Sequence, residues 1–447
     1  MSTKTMVSRR GFLQRAGGAA IGLAAPMIVP SRVLGRDGAT APSERITIGC
    51  IGLGGQGQGN MRNFIAQPDA QIVALCDVER GAEHRGLATA RKTAADSSGK
   101  VGRPIGDGSL ATYRDFRELL ARDDIDAVSI GTPDHWHGLI AVAAARAGKD
   151  IYCEKPLSLT LADGRAMVEA VRRNGRILQT GTHRRSSPVA RFMCELIRNG
   201  RIGKLRKATV EIGTTPGREG PKEPWEEQPV PAWLDYDMWL GPAQWAPYHK
   251  LRCLYSFRYI NDYSGGEVTN TGAHMLDLVQ WASGHDDTGP VEVEDLGGAF
   301  HPEAFFNMAN PAHFRFRYAD GVEGELHSSM RGWCVKLEGD KGWIAFQDRL
   351  TASDPKLLNE TIGPSEIHLY ESSDHMRNFL DCVKSRREPV APVEVGHRST
   401  SICHLGNIAM TLKARLAWDP AAECFTGHNA AAANRLRHRA GRGAWTV

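Results

Sequence analysis

The sequence predicts an α/β protein in two parts, an N-terminal doubly wound parallel sheet and a C-terminal α+β domain with a large, mainly antiparallel sheet. Three observations predict it. Apolar strand-like runs alternate with helix-length segments from residue 45 to 181, as in a parallel sheet with crossover helices. A glycine-rich turn follows the first of those strands, and an acid ends the second. From Val291 the intervening helices drop out and short strand-like runs follow one another.

The first strand, 45–52, runs into Gly52-Leu53-Gly54-Gly55-Gln56-Gly57, and a helix continues to about residue 67. The second strand, 71–76, ends at Asp77, 20 residues beyond Gly57. This is the fingerprint of a Rossmann dinucleotide site. Gly52 permits the tight turn, Gly54 lets backbone approach a pyrophosphate, and Gly57 lets helix pack on strand. Unpaired N–H groups at the helix start face the anion. Asp77 accepts hydrogen bonds from the ribose hydroxyls and repels a 2′-phosphate, which favours NAD; Arg80 leaves NADP open. Further helices are expected over 80–95, 113–121, 136–147 and 160–174, with strands at 126–131, 150–153 and 176–181 and a Gly/Ser-rich loop at 96–109. Ligands bind outside the carboxyl ends of such strands. Two motifs fall there, Thr132-Pro133-Asp134-His135-Trp136-His137 and Cys153-Glu154-Lys155-Pro156.

Charge excludes polyanions as partners. Lys and Arg number 55 against 51 Asp and Glu, a formal net charge of +4. Residues 1–41 hold six of the bases (Lys4, Arg9, Arg10, Arg15, Arg32, Arg36) and one acid, Asp37; subtracting them leaves 49 against 50, so the nucleic-acid reading loses its support. That leader reads Ser8-Arg9-Arg10-Gly11-Phe12-Leu13, then a weakly apolar run from Ala16 to Val29, then Ala39-Thr40-Ala41. It resembles a twin-arginine export signal, which predicts a periplasmic or otherwise exported mature chain from about Pro42 and no stable membrane span. The nine cysteines include no C-x-x-C pair, and His135 and His137 have no further ligand spacing nearby, so no metal site is predicted.

These motifs, with Gly265-Gly266-Glu267-Val268-Thr269-Asn270-Thr271-Gly272-Ala273-His274-Met275-Leu276-Asp277, resemble the Gfo/Idh/MocA oxidoreductases over essentially the whole mature chain. The Glu154-Lys155-Pro156 triplet after the fifth strand is the most specific marker. The resemblance implies hydride transfer between a sugar carbon and nicotinamide, with Lys155 beside the reacting carbon and His274 as acid/base. It assigns Gly52, Gly54, Gly57, Asp77, Thr132, Pro133, His137, Glu154 and Lys155 to the cofactor, and His183, Arg184, Arg258, Asp262, Asn270 and His274 to the substrate. The chemistry agrees: alcohol oxidation needs a base for the hydroxyl proton, and an ammonium stabilises the developing alkoxide. One position departs from the family pattern. Asn270 stands where an aspartate usually completes the catalytic set, and it carries no charge with which to raise the pKa of His274 or balance Lys155. Glu267, Asp262 and Asp277 remain as carboxylates.

The three parts are therefore the leader at 1–41, an NAD(P)-binding domain at 42–181 and a substrate-binding and oligomerisation domain at 182–447. In the last, a helix is expected at 188–199 and a strand at 205–213. A Pro- and Trp-rich segment at 214–263 either presents aromatic faces to a sugar or packs as structure. Strands follow at 291–296, 313–318, 321–328, 333–338 and 342–346, then helices at 374–384 and 396–417 and a basic ending read as a solvated tail or subunit arm. A homodimer or homotetramer is implied by resemblance alone. Export argues for a nicotinamide retained through each turnover. Three function classes stand: a sugar oxidoreductase, a glycosidase or lyase using transient oxidation without net redox, and a non-catalytic carbohydrate-binding protein with structural NAD.

Overall fold

The computed structural model describes residues 40–445 except 82–85, 104–109, 215–219, 222–224 and 331. The leader therefore lies almost wholly outside the described residues. The chain divides into two units at Arg45, the first contributing a 3-10 turn at Pro42–Glu44. All that follows concerns the second, Ile46–Val447.

Its N-terminal half alternates β1 (Ile46–Ile51), α1 (Gly55–Ala66), β2 (Ala70–Cys76), α2 (Leu87–Lys100), β3 (Ala111–Tyr113), α3 (Phe116–Leu120), β4 (Ala127–Ile130), α4 (Asp134–Arg146), β5 (Asp150–Cys153), α5 (Leu161–Arg173) and β6 (Leu178–Thr180). The six strands are all parallel in the order β3-β2-β1-β4-β5-β6. The chain leaves β1 towards β2 on one side and β4 on the other, and ligand crevices form at that reversal. β4 and β5 are buried at every residue, as strands covered by helices on both faces must be. The helix expected at 113–121 is shorter, because β3 takes its first residue and Asp115 caps α3 by accepting from the Arg117 amide. The helix expected at 80–95 begins at Leu87 and extends into the supposed loop as far as Lys100.

The second half contains α6 (Pro188–Arg198), β7 (Leu205–Gly213), α7 (Tyr236–Leu240), α8 (Gly266–Asn270), α9 (Gly272–Ser283), β8 (Glu292–Asp295), β9 (His313–Arg317), β10 (Glu323–Ser329), β11 (Cys334–Gly339), β12 (Trp343–Phe346), β13 (Leu350–Ala352), α10 (His375–Ser385), α11 (Val393–Leu412), β14 (Arg415–Asp419), β15 (Cys424–Thr426) and α12 (Ala430–Arg435). Nine strands form one sheet, β13-β12-β11-β7-β10-β9-β8-β14-β15, antiparallel except where β7 pairs with β10. The helix expected to reach 417 stops at Leu412. Lys413 takes a left-handed backbone (φ 48°), and β14 begins two residues on. Inward residues such as Val210, Leu326, Val335 and Leu337 are fully buried under α9 and α11, while the outer face carries cross-strand ion pairs such as Lys207–Glu325 and Arg317–Glu292.

Helix α9 is buried on nearly every face and sits between α6, α11 and the sheet. Its one buried acid, Asp277, has no exposed surface, so it needs full compensation. Arg185, on the 3-10 turn His183–Ser186 that follows β6, provides it. Arg185 Nε lies 3.0 Å from both carboxylate oxygens, Ser399 donates to Oδ1 at 2.7 Å, and the far edge of the guanidinium reaches Asp286. Removing one partner of a buried pair strands the other charge. Asp277→Ala is therefore expected to lower folding stability by about 3–5 kcal/mol, measured as a fall in the denaturant midpoint at unchanged slope.

Candidate active site

A cleft of about 750 Å³ opens where β1, β2 and β4 end, walled on one side by the glycine turn and on the other by residues 233–258. Gly52 has φ +80°, and a Cβ there would lie 2.5 Å from the Thr132 amide nitrogen; one on Gly57 would lie 1.9 Å from the Gly52 carbonyl oxygen. A Cβ on Gly54 would meet nothing within 4 Å, so this residue faces open space at the start of α1, where no side chain caps the helix. Asp77 braces the turn: Oδ2 accepts from the Leu53 amide at 2.6 Å and Oδ1 from the Glu79 amide at 2.9 Å. Burial pushes its carboxyl up, and these amides oppose that shift. An open backbone concavity with free helix-start amides, an acid at the end of β2 and space beyond fits a dinucleotide, its pyrophosphate on α1 and its ribose on Asp77.

The roof comes from the Trp-rich segment. Glu79 and Leu234 form an isolated antiparallel bridge, with the Arg80 amide donating to the Trp233 carbonyl at 2.9 Å and the Asp235 amide to Val78 at 3.0 Å. Trp239 closes the next stretch, its carbonyl accepting from Trp136 Nε1 at 3.1 Å and His135 Nε2 at 3.0 Å. The basic ending is not a solvated tail but packs back on its own chain. Arg442 donates to the Gly241 and Ala243 carbonyls and to Asp237, and Trp445 stacks edge-on to Trp136 at 5.0 Å between centroids and under the Arg117 guanidinium. Arg439 binds Asn261 and forms a 3.9 Å ion pair with Asp262. Asp262 is thus drawn to the C-terminal strap and does not line the cleft. His137 is not a wall residue either. It is 1% exposed, and its ring bridges the Thr132 and Pro156 carbonyls at 2.9 and 2.8 Å, tying the two strand-end turns together.

Lys155 stands at the end of β5 on the cleft wall, where Nζ donates to the Asn270 carbonyl at 2.8 Å and to Asn270 Oδ1 at 3.2 Å. Burial lowers its pKa, and the Arg258 charge acts in the same direction against Glu154, Asp134 and Glu267. Asn270 ends α8 and passes the contact on, its Nδ2 donating to Glu267 Oε2 at 3.1 Å. Of the three spare carboxylates, Asp277 is held by Arg185 and Asp262 by Arg439, which leaves Glu267 behind Asn270. Glu154 is buried, and burial raises a carboxyl's pKa. His183 at 3.6 Å, the Lys155 charge and a 2.9 Å bond from Asn60 outweigh that and hold it at about 2. Arg258 lines the cleft, stacked on Tyr255 with its Nε 3.4 Å from Asn270 Oδ1.

His274 lies one helical turn beyond Asn270, on α9. Burial holds its pKa well below the ordinary histidine value, and the Lys155 charge adds to that, so both favour the neutral imidazole. Nδ1 is buried without a partner, which leaves Nε2 as the reachable nitrogen. His274, His183 and Arg184 do not wall the main cleft. They group beyond Lys155, around Trp333 and the Tyr152 hydroxyl, which contacts His183 Nε2 at 3.0 Å.

Residues 46–182 match the model described as an oxidoreductase family NAD-binding Rossmann fold, and 207–447 the one described as the C-terminal alpha/beta domain of that family, both named for Gfo/Idh/MocA. The chain belongs to the Gfo/Idh/MocA family. Its NAD-binding domain and oxidoreductase character follow from that membership. Among relatives, the myo-inositol 2-dehydrogenase of Thermotoga maritima is 26% identical over 368 residues, 78% of this chain and 91% of that one. A glycosyl hydrolase family 109 protein of Shewanella baltica is 28% identical over 211 residues, 44% of each chain, so the match spans less than half of that relative. The aldose-aldose oxidoreductase structure from Caulobacter crescentus, complexed with glycerol, superposes with a TM-score of 0.59 at 20% identity, covering 83% of this chain and 99% of that one; it shares the fold.

Several residues of this Gfo/Idh/MocA site were not singled out by motif reading. Gln56 and Asn60, four apart on α1, both donate to Glu154, and only their spacing on one helix face hinted at a shared target. Trp333 and Phe116 are isolated aromatics whose roles arise from distant packing. The glycines predict a contrast. Gly57→Ala should unfold or misplace α1, visible as a lower melting temperature, whereas Gly54→Ala should melt like the parent yet bind NAD more weakly in a fluorescence titration.

Proposed function

We propose that this protein is an oxidoreductase that exchanges hydride between a sugar carbon and a tightly held NAD. The observation that carries the reading is a buried, pKa-lowered Lys155 on the cofactor cleft, linked to Asn270 and placed beside a neutral His274. NAD, when bound, supplies the hydride acceptor and donor. Lys155 Nζ, fixed by Asn270, presents an N–H to the substrate oxygen and stabilises alkoxide character there. His274 Nε2 receives the hydroxyl proton, and its low pKa keeps it unprotonated at neutral pH. Asn270 orients Lys155, while Glu267 behind it lends a carboxylate's field without touching the ammonium directly. The roof and the C-terminal strap bridge over the end of β2, which supports retention of the cofactor, and Asp77 on the cleft wall supports NAD over NADP.

A second reading, redox-neutral glycoside cleavage through transient oxidation, draws on Asn270 in the aspartate position and on the family 109 relative. Product analysis separates the two. Without added NAD, a sugar supplied with a second sugar as hydride acceptor should give an aldonic acid or keto-sugar and an equal amount of reduced acceptor under the first reading, and a glycoside should give free sugar with no oxidised product under the second. Lys155→Met and His274→Ala should each cut turnover by about a hundredfold or more while keeping bound nicotinamide; full activity in both variants would sink the site assignment.

Retention also fits an exported enzyme, because outside the inner membrane no soluble nicotinamide pool is expected to reoxidise a released product. We infer twin-arginine export to the periplasm from Arg9-Arg10 and the apolar run that follows. Replacing both arginines by lysine should leave the protein in the cytoplasmic fraction. No helix among the described residues is long and apolar enough to cross a membrane. Subunit pairing through the outer face of the nine-stranded sheet, as a homodimer or homotetramer, is part of the same proposal.

A further inference from the structure

We infer that the sugar carries a carboxylate and that Arg184 is the residue that takes it, beside His274. The inference rests on the sugar-oxidoreductase reading above and names its substrate class.

Arg184 sits on the turn after β6, next to Arg185, and the two arginines have opposite fates. Arg185 is consumed by Asp277 and Asp286. The Arg184 guanidinium makes no hydrogen bond or ion pair among the described residues, its contacts being with rings. Its guanidinium carbon lies 4.9 Å from the Trp333 ring centroid and 5.2 Å from that of Phe346, so the contacts that hold it are aromatic. Such contacts position the group while leaving its planar fork of N–H donors unused, and that fork matches a carboxylate bidentately. The nearby arginines all find acceptors: Arg191 binds Glu195, Arg198 the Trp281 carbonyl and Arg201 Glu366. The Arg184 charge is half-buried, and the acid that acts on it, Asp348, does so at a distance without a hydrogen bond.

The position of this unpaired cation is what gives it meaning. Trp333 also packs on His274, with 5.8 Å between ring centroids, so the guanidinium and the proposed base flank one indole. Lys155, His183 and Arg184 all act on His274, opposed by Glu154, which is already engaged by Gln56, Asn60 and His183. A sugar placed before His274 Nε2 lies beside the Lys155 ammonium and the unpaired Arg184 guanidinium. A neutral sugar leaves Arg184 unpaired and partly desolvated; a sugar acid pairs it.

The test is calorimetric titration of the full chain, with its bound nicotinamide, against matched pairs: glucose with glucuronate, and galactose with galacturonate. Glucose 6-phosphate is a third arm. At least one acid should bind about tenfold or more tightly than its neutral partner, with an advantage that shrinks as salt rises. Arg184→Gln should erase most of that preference at unchanged nicotinamide content, and Arg184→Lys should restore only part of it. No preference for either acid in the parent, or equal losses for acid and neutral sugar in Arg184→Gln, would overturn the inference. Tighter binding of the phosphate than of both acids would overturn the choice of carboxylate. Acid binding that depends on Arg184, in a protein that oxidises no sugar and cleaves no glycoside, would support the binding site and count against the catalytic reading alone.

Discussion

The ion pair between Arg185 and Asp277 is the constraint on which the site depends. It joins the turn leaving the last strand of the parallel sheet to the buried helix α9 at the heart of the second layer. Asp277 lies three residues after His274, and Arg185 one residue after Arg184. A single buried contact therefore sets the register between the face that carries the proposed base and the turn that carries the free cation. The pair has little solvent to relax into, so its geometry is rigid. With it in place, Lys155 on the neighbouring strand end and Asn270 on the helix before α9 meet within hydrogen-bond distance.

Around that joint the protein separates its charges by function. Asp277 is paired with Arg185, Asp262 faces Arg439 outside the cleft wall, and Glu154 is held ionised by the donors around it. None of them is left to act as a base near the reacting carbon. Glu267 keeps its carboxylate one residue removed, through Asn270. The outcome is a lysine whose charge is only partly offset and a histidine kept neutral, an arrangement suited to taking a proton from a hydroxyl. Asn270 makes sense in this setting: it positions the ammonium without adding a charge that would pull His274 towards protonation.

The cleft itself is closed by parts of the chain that come from far away in sequence. Residues 233–243 bridge to the end of β2 and cover the adenosine end, and the C-terminal strap holds that cover through Arg442 and Trp445. Each contact is modest. Together they span three segments, and opening the cleft requires several to break at once, which is the physical ground for the retention proposed above.

Local sequence was enough for the parallel sheet, the glycine turn with Asp77, and the placing of Glu154 and Lys155 at a strand end, because turn chemistry, strand periodicity and a short spacing decide those features within a few residues. The same is true of the alternating strands of the second sheet, apart from β13, β14 and β15, which are too short or too polar to stand out. Tertiary structure decided the rest. His137 has the right motif, yet its ring is spent on two backbone carbonyls. Asp262 has the right charge, yet Arg439 claims it. Arg184 and Arg185 are adjacent and chemically identical, and only the fold pairs one with the buried Asp277 while leaving the other's guanidinium free, since the environment of a side chain is set by what long-range packing brings to its face.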